Sequence, residues 1–82
     1  MWYYVYILEL NNGKHYTDCT VNFKERYARH LKGYVPATKH HLPIKLIWCC
    51  SFPNRHKAYE FERYLKSGSG RAFASKHLYN II

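Results

Sequence analysis

The stretch WYYVYILELNNGKHYTDCT, residues 2–20, decides the fold because it has the pattern of two strands joined by a tight turn. Residues 2–10 are rich in strand-forming side chains and apolar on both faces until Glu9, which predicts a central strand. Asn11-Asn12-Gly13 is a strong hairpin signal, and residues 14–19 form the returning strand. The chain therefore begins with a β-hairpin.

The pairing register of this hairpin stays open in the sequence. A three-residue loop with Gly13 in the left-handed conformation places Tyr6 opposite Asp18 and Leu8 opposite Tyr16. Both tyrosines then share one face of the sheet as diagonal neighbours. A two-residue Asn-Gly loop shifts the pairing by one residue and places the two tyrosines on opposite faces.

A helix is predicted directly after the hairpin, over residues 22–32. Asn22 is a good N-cap, and the apolar residues that follow recur at helical spacing. Phe23, Tyr27 and Leu31 are the expected buried stripe of this helix.

The second half of the chain predicts one more strand and two helical segments. A loop at residues 34–42 leads to a strand at 44–52 and a helix at 54–66, and a further helical segment at 71–78 follows a short Ser-Gly stretch. The predicted order is β-β-α-β-α with an extra C-terminal helical segment. A chain of 82 residues is too short for two cores, so residues 1–82 form one domain.

Charge indicates the expected partner. Thirteen Lys and Arg face five Asp and Glu, and the net charge of +8 favours a polyanion, nucleic acid first and an anionic membrane surface second. The apolar stretches are far shorter than the about 20 residues of a membrane span, so no membrane segment is predicted. A hydrophobic fraction of 48% excludes a disordered chain. Three cysteines without a C-x-x-C pair indicate reduced thiols in a cytoplasmic protein.

Glu62 is the anomalous residue of the second helix. Ala58, Phe61 and Leu65 mark the inward face of that helix, and Glu62 falls on the same stripe. An inward carboxylate is costly unless it is paired or binds a metal, so a salt bridge to a nearby Lys or Arg and a metal ligand are both open.

The polar residues of the hairpin and the two helices are together typical of a metal-assisted phosphodiester site. Glu62 would hold one hard divalent cation, and Arg26, four residues before His30, would bind phosphate. Tyr6 or Tyr16 would activate water, which requires nearby positive charge to lower the tyrosine pKa.

These residues resemble the GIY-YIG nuclease family over nearly the whole chain. Tyr4-Val5-Tyr6 and Tyr16-Thr17-Asp18 match the two half-motifs, Arg26 and His30 follow at the family's spacing, and residues 58–66 resemble its metal-binding helix. The resemblance, to the small stand-alone branch, implies an α+β fold with a central three-stranded antiparallel sheet flanked by helices. It also implies cleavage of DNA with Mg²⁺ or Mn²⁺, and it assigns the site to Tyr6, Tyr16, Arg26, His30 and, as metal ligand, Glu62.

The chain departs from the family pattern at three places. Tyr4 replaces the first glycine, and Asp18 replaces the last, where a carboxylate could repel phosphate or assist the metal. The family also uses an asparagine late in the chain, and Asn80 is the candidate here, although it lies farther along than expected.

The resulting expectation is a divalent-metal-dependent endonuclease for structured or damaged DNA, a monomer or homodimer, with little sequence specificity. An inactive nucleic-acid-binding module on the same scaffold is the main alternative, and a structural protein that meets an acidic partner is the third. Seven cations are expected to contact backbone phosphates: Lys24, Arg29, Lys32, Lys39, Arg63, Lys66 and Arg71.

Overall fold

The computed structural model describes residues 1–79 and has the element order predicted from the sequence. The elements are, in chain order, β1 (Tyr3–Glu9), β2 (His15–Thr20), α1 (Phe23–Leu31), β3 (Lys45–Phe52), α2 (Arg55–Lys66) and α3 (Gly68–Ala74), followed by a π-helical segment (Ser75–Tyr79). No helix in the described part of the chain is long and apolar enough to cross a membrane. Asn80 lies outside the described residues.

The three strands form one antiparallel sheet in the order β2-β1-β3, so β1 is central and β2 is an edge strand. Gly13 has a φ of +84° and its amide donates to the Leu10 carbonyl, while the Leu10 amide donates to Lys14. The loop therefore has three residues, and Tyr6 pairs with Asp18. Of the two registers open in the sequence, the structure has the one that places both tyrosines on one face.

Helices cover both faces of the sheet, which confirms the α+β fold. Val5 and Ile7 of β1 point to one face and pack with apolar residues of α2 and α3. Tyr6 and Leu8 point to the other face, against Phe23 and its neighbours on α1. The alternation of side chains along β1 thus divides the molecule into an α2 side and an α1 side.

The start of α1 is predicted correctly, and so are Phe23 and Tyr27 of its inward stripe, but the third member, Leu31, is not. The Asn22 side chain accepts from the Glu25 amide at 3.2 Å, as the capping pattern predicts. Leu31, however, is 52% exposed, whereas His30 is fully buried. The inward line is Phe23, Tyr27 and His30, because the spacing i, i+4, i+7 returns to one face of a helix and His30 finds polar partners there.

The third helix begins earlier than predicted, inside the Ser-Gly stretch. Ser67 caps it by accepting from the Gly70 amide at 3.1 Å. At Gly70 the helix crosses so close to α2 that a β-carbon would overlap the Tyr64 carbonyl. Glycine therefore allows α3 to pack against the end of α2.

Candidate active site

Asp18 lies at the centre of a polar cluster on the α1 side of the sheet. Its Oδ2 accepts from Arg26 Nη2 at 2.9 Å, from Tyr16 Oη at 3.0 Å and from Tyr6 Oη at 3.4 Å. Its Oδ1 accepts from the Cys19 amide at 2.8 Å. Three side-chain donors therefore converge on one carboxylate oxygen.

His30 connects this carboxylate to the loop after α1. Its Nε2 lies 2.8 Å from Tyr6 Oη, and its Nδ1 lies 2.8 Å from Thr38 Oγ1. Both His30 and Thr38 are fully buried. We refer to these six side chains as the Asp18 cluster: Tyr6, Tyr16, Asp18, Arg26, His30 and Thr38.

The position of the imidazole proton decides the direction of the two hydrogen bonds of His30. With the proton on Nε2, Thr38 donates to Nδ1 and the ring donates to Tyr6 Oη, which leaves the Tyr6 hydroxyl proton for Asp18. With the proton on Nδ1, the ring donates to Thr38 Oγ1 and Nε2 accepts from Tyr6 Oη. In both tautomers the contacts run in one buried line from Thr38 through His30 and Tyr6 to Asp18.

Local sequence places each member of the cluster. Tyr16 and Asp18 alternate on β2, so both face the same side as Tyr6. Arg26 and His30 are one helical turn apart on α1. The Phe23 ring anchors that helix by packing edge-on against the Tyr6 ring, with centroids 5.3 Å apart.

Water activation by a tyrosinate requires a lowered tyrosine pKa, and the cluster has the opposite effect. Burial, together with the neighbouring Asp18 charge, raises the pKa of Tyr6 and of Tyr16. Burial and the charge of Arg26 lower the pKa of His30, against the opposing effect of Asp18. The cluster therefore holds neutral tyrosines and a neutral histidine at neutral pH. The condition for a tyrosine base, a pKa lowered by nearby positive charge, is not met, because burial and Asp18 outweigh Arg26.

Glu62 is buried, as its position on the inward stripe of α2 predicts, with 8% of its surface exposed. Its Oε2 accepts from Lys66 Nζ at 2.8 Å, one helical turn further along. It lies on the α2 side of the sheet, whereas the Asp18 cluster lies on the α1 side. Edge strand β2 lies between them. On this strand the Cys19 thiol senses both sites, because burial and the carboxylates of Glu62 and Asp18 raise its pKa. The structure thus gathers Tyr6, Tyr16, Arg26 and His30, and keeps Glu62 across the strand.

The donor set for a metal is small. Among the described residues, no group of three or more His, Cys, Asp or Glu side chains could hold an ion. A single buried carboxylate still fits Mg²⁺, which commonly binds one or two carboxylates and completes its shell with water and substrate phosphate. Glu62 has this character, since its partner Lys66 is half-exposed and can turn away.

The predicted phosphate-binding cations are all exposed but do not lie on one side of the sheet. Lys24 and Arg29 belong to α1, with Lys32 at its end and Lys39 in the following loop. The other three belong to the α2 side: Arg63, Lys66 and Arg71.

The sequence analysis named Asp18 as a carboxylate that could repel phosphate or assist the metal, but did not predict it as the centre of the cluster, and it missed Thr38. Asp18 is two residues from Tyr16 in a strand, and this alternation already places it on the tyrosine face. Thr38 comes from a loop without periodicity, so no pattern marks it as a partner of His30.

The chain is similar to known proteins over most of its length. The model of the GIY-YIG catalytic domain matches residues 2–77. A UPF0213 protein of Pediococcus acidilactici is 37% identical over 71 residues, which cover 82% of this chain and 71% of that protein. One of Pediococcus pentosaceus is 34% identical, with 79% and 74% covered. The solution NMR structure of the UPF0213 protein from Bacillus halodurans superposes with a TM-score of 0.60 at 29% identity, over 93% of this chain and 84% of that one.

Proposed function

The chain belongs to the GIY-YIG family, and from that premise we propose that it is a divalent-metal-dependent endonuclease that cleaves DNA phosphodiester bonds. The observation that carries the proposal is the Asp18 cluster, in which the four motif residues are joined by hydrogen bonds on one face of the sheet. Structured or damaged DNA is the proposed substrate, with little sequence specificity.

Arg26 is the proposed phosphate ligand. A guanidinium has five N–H donors, and one of its nitrogens, Nη2, donates to Asp18 at 2.9 Å. Its side chain is 34% exposed, so the remaining donors can reach a phosphate from solvent. Hydrogen bonds to a non-bridging oxygen would strengthen as charge develops on the phosphoryl group during displacement.

Asp18 is the proposed proton acceptor, with Tyr16 as the relay. A water that donates to Tyr16 Oη passes its proton to that oxygen while Tyr16 passes its own proton to Asp18 Oδ2, 3.0 Å away. The hydroxide attacks phosphorus, the bond to the leaving oxygen breaks, and that oxygen takes a proton from solvent. This relay needs no tyrosinate, which agrees with the raised pKa of Tyr16.

Glu62 is the proposed ligand of one Mg²⁺ or Mn²⁺ ion. When bound, such an ion neutralises a phosphate oxygen and stabilises the leaving oxygen. Because β2 is an edge strand, a DNA backbone that crosses its outer edge meets Tyr16 on one side and Glu62 on the other. The Lys66 ammonium would leave Glu62 for a phosphate when the ion binds.

Two contacts favour a second candidate, a DNA-binding module without nuclease activity. Asp18 already occupies the donors that the nuclease directs towards phosphate and water, and Lys66 already neutralises Glu62. A protein of this kind would bind DNA with a steep salt dependence and leave it intact.

The deciding experiment is cleavage of supercoiled plasmid and branched DNA in Mg²⁺, Mn²⁺ and EDTA. We expect nicking that requires metal and falls by about a hundredfold or more in Glu62→Gln. Glu60→Gln is the matched control, because Glu60 lies on the same helix but is exposed. Its ion pair with Lys57 is long, at 3.9 Å, and is exposed as well. This variant should cleave like the wild type.

Three outcomes separate the candidates. Cleavage that persists in Glu62→Gln would remove Glu62 as the ligand. Salt-sensitive DNA binding without cleavage in any metal would establish the binding module instead. Asp18→Asn should lose cleavage if Asp18 accepts the proton, and should gain activity or affinity if it only blocks the site.

A further inference from the structure

A cleft runs along the outer edge of β2 and extends beyond the residues assigned to the chemistry. We call it the edge cleft; its volume is about 770 Å³, within the range of pockets that hold a small organic ligand. Three cations line it, Lys14, Lys66 and Arg71, and no acidic side chain among the described residues does. The edge cleft therefore suits a ligand with negative charge.

A pair of aromatic rings provides a second kind of contact in the edge cleft. The His15 and Tyr79 rings are stacked, with centroids 3.7 Å apart and an interplanar angle of 6°. Both residues line the cleft and keep part of their surface exposed. Flat rings beside cations match the two parts of a nucleotide, since a base stacks on an aromatic face and its phosphates pair with Lys and Arg.

The edge cleft is continuous with the proposed active site. Tyr16 lines it and also donates to Asp18 in the cluster, while Lys66 lines it and donates to Glu62. A strand that lies in the cleft therefore passes both halves of the site.

We propose that the edge cleft binds an unpaired nucleotide of DNA, whose base stacks on the His15–Tyr79 pair while Lys14 and Arg71 hold the flanking phosphates. Stacking requires a base outside the duplex, so the substrate class is DNA with single-stranded character, such as a branch, flap or frayed end. The inference rests on the proposed function for the site it serves, and it adds Lys14, His15 and Tyr79 to the binding residues.

The test is binding in EDTA, which prevents metal-dependent cleavage, measured by fluorescence anisotropy. A short labelled oligothymidylate is compared with an abasic strand of the same length, because the two share phosphates and differ in bases. Wild type should bind the strand with bases about tenfold more tightly than the abasic one. Tyr79→Ala and His15→Ala should each reduce this ratio towards one and leave the affinity for the abasic strand unchanged.

Two further variants control for damage to the fold. Tyr79→Phe retains the ring and should retain the ratio, and Tyr34→Ala removes an exposed tyrosine outside the cleft and should have no effect. A wild-type ratio near one, or a ratio that survives both alanine variants, overturns the inference. Cleavage activity without base-dependent binding would refute this inference alone, and base-dependent binding without cleavage would refute the nuclease alone.

Discussion

The two sides of the sheet differ in what holds them together. On the α2 side, Val5 and Ile7 pack against Ala58, Leu65 and other apolar residues, and the contact is close-packed. The α1 side also contains apolar residues, but its buried centre is a chain of hydrogen bonds that ends at Asp18. Strand β1 contributes to both sides, since its odd-numbered residues face the α2 side and its even-numbered residues face the α1 side. Close packing of apolar side chains thus stabilises the α2 side, whereas the α1 side depends in addition on hydrogen bonds between buried polar groups.

The largest loss of stability is expected from a substitution at Gly70, where α3 approaches α2 most closely. A β-carbon in Gly70→Ala would overlap backbone atoms of Tyr64 and Leu65, and backbone cannot turn away as a side chain can. Relief requires α3 to move off α2, so we expect a loss of about 3 kcal/mol or more in the free energy of unfolding. Urea denaturation followed by circular dichroism measures it.

Gly68→Ala is the matched control two residues earlier. A β-carbon at Gly68 meets nothing within 4 Å, so the variant should be as stable as wild type or slightly more stable. Equal losses in the two variants would show that α3 is sensitive to any added side chain, and that the close approach to α2 does not explain the loss at position 70.

The second prediction compares the two sides through a buried threonine on each. Thr38→Val conserves volume but leaves His30 Nδ1 without its partner, which should cost about 1–3 kcal/mol of stability. Thr17, on the α2 side, is also buried but makes no side-chain hydrogen bond within residues 1–79. Thr17→Val should therefore be neutral or stabilising. Similar values for both variants, measured by the same denaturation, would contradict the assigned role of Thr38.

The same contrast explains how much could be predicted from the sequence. Strand order, the N-caps Asn22 of α1 and Asn54 of α2, and the inward position of Glu62 follow from periodicity and cap residues, which are local in the chain. The hydrogen bonds of the α1 side, by contrast, join partners that are far apart in sequence. Thr38 and His30 meet through a loop, and the hairpin register that pairs Tyr6 with Asp18 depends on the conformation of Gly13.

Leu31 shows the physical reason most directly. Hydrophobicity favours Leu31 over His30 as the inward residue, yet His30 is buried because Tyr6 and Thr38 satisfy both of its ring nitrogens. A buried polar group is stable only when it is paired, and the pairing partners cannot be read from the helix alone. Metal binding at Glu62 stays a prediction, since the partner that the structure gives this carboxylate is Lys66, one helical turn further along.

The smallest expected effect is a dependence of stability on pH that arises from His30 on the α1 side. Burial and Arg26 lower the pKa of His30, so the folded protein takes up its proton at a lower pH than the unfolded chain does. Below the ordinary histidine pKa of about 6.5, protonation favours the unfolded state, and stability should fall as the pH drops towards the folded pKa. His30→Gln removes the titrating group and should flatten this fall, whatever its stability at neutral pH. His56→Gln, an exposed position on α2, should keep the wild-type slope. Urea midpoints between neutral and mildly acidic pH measure the three slopes, and an unchanged slope in His30→Gln would mean that another group carries the acid sensitivity.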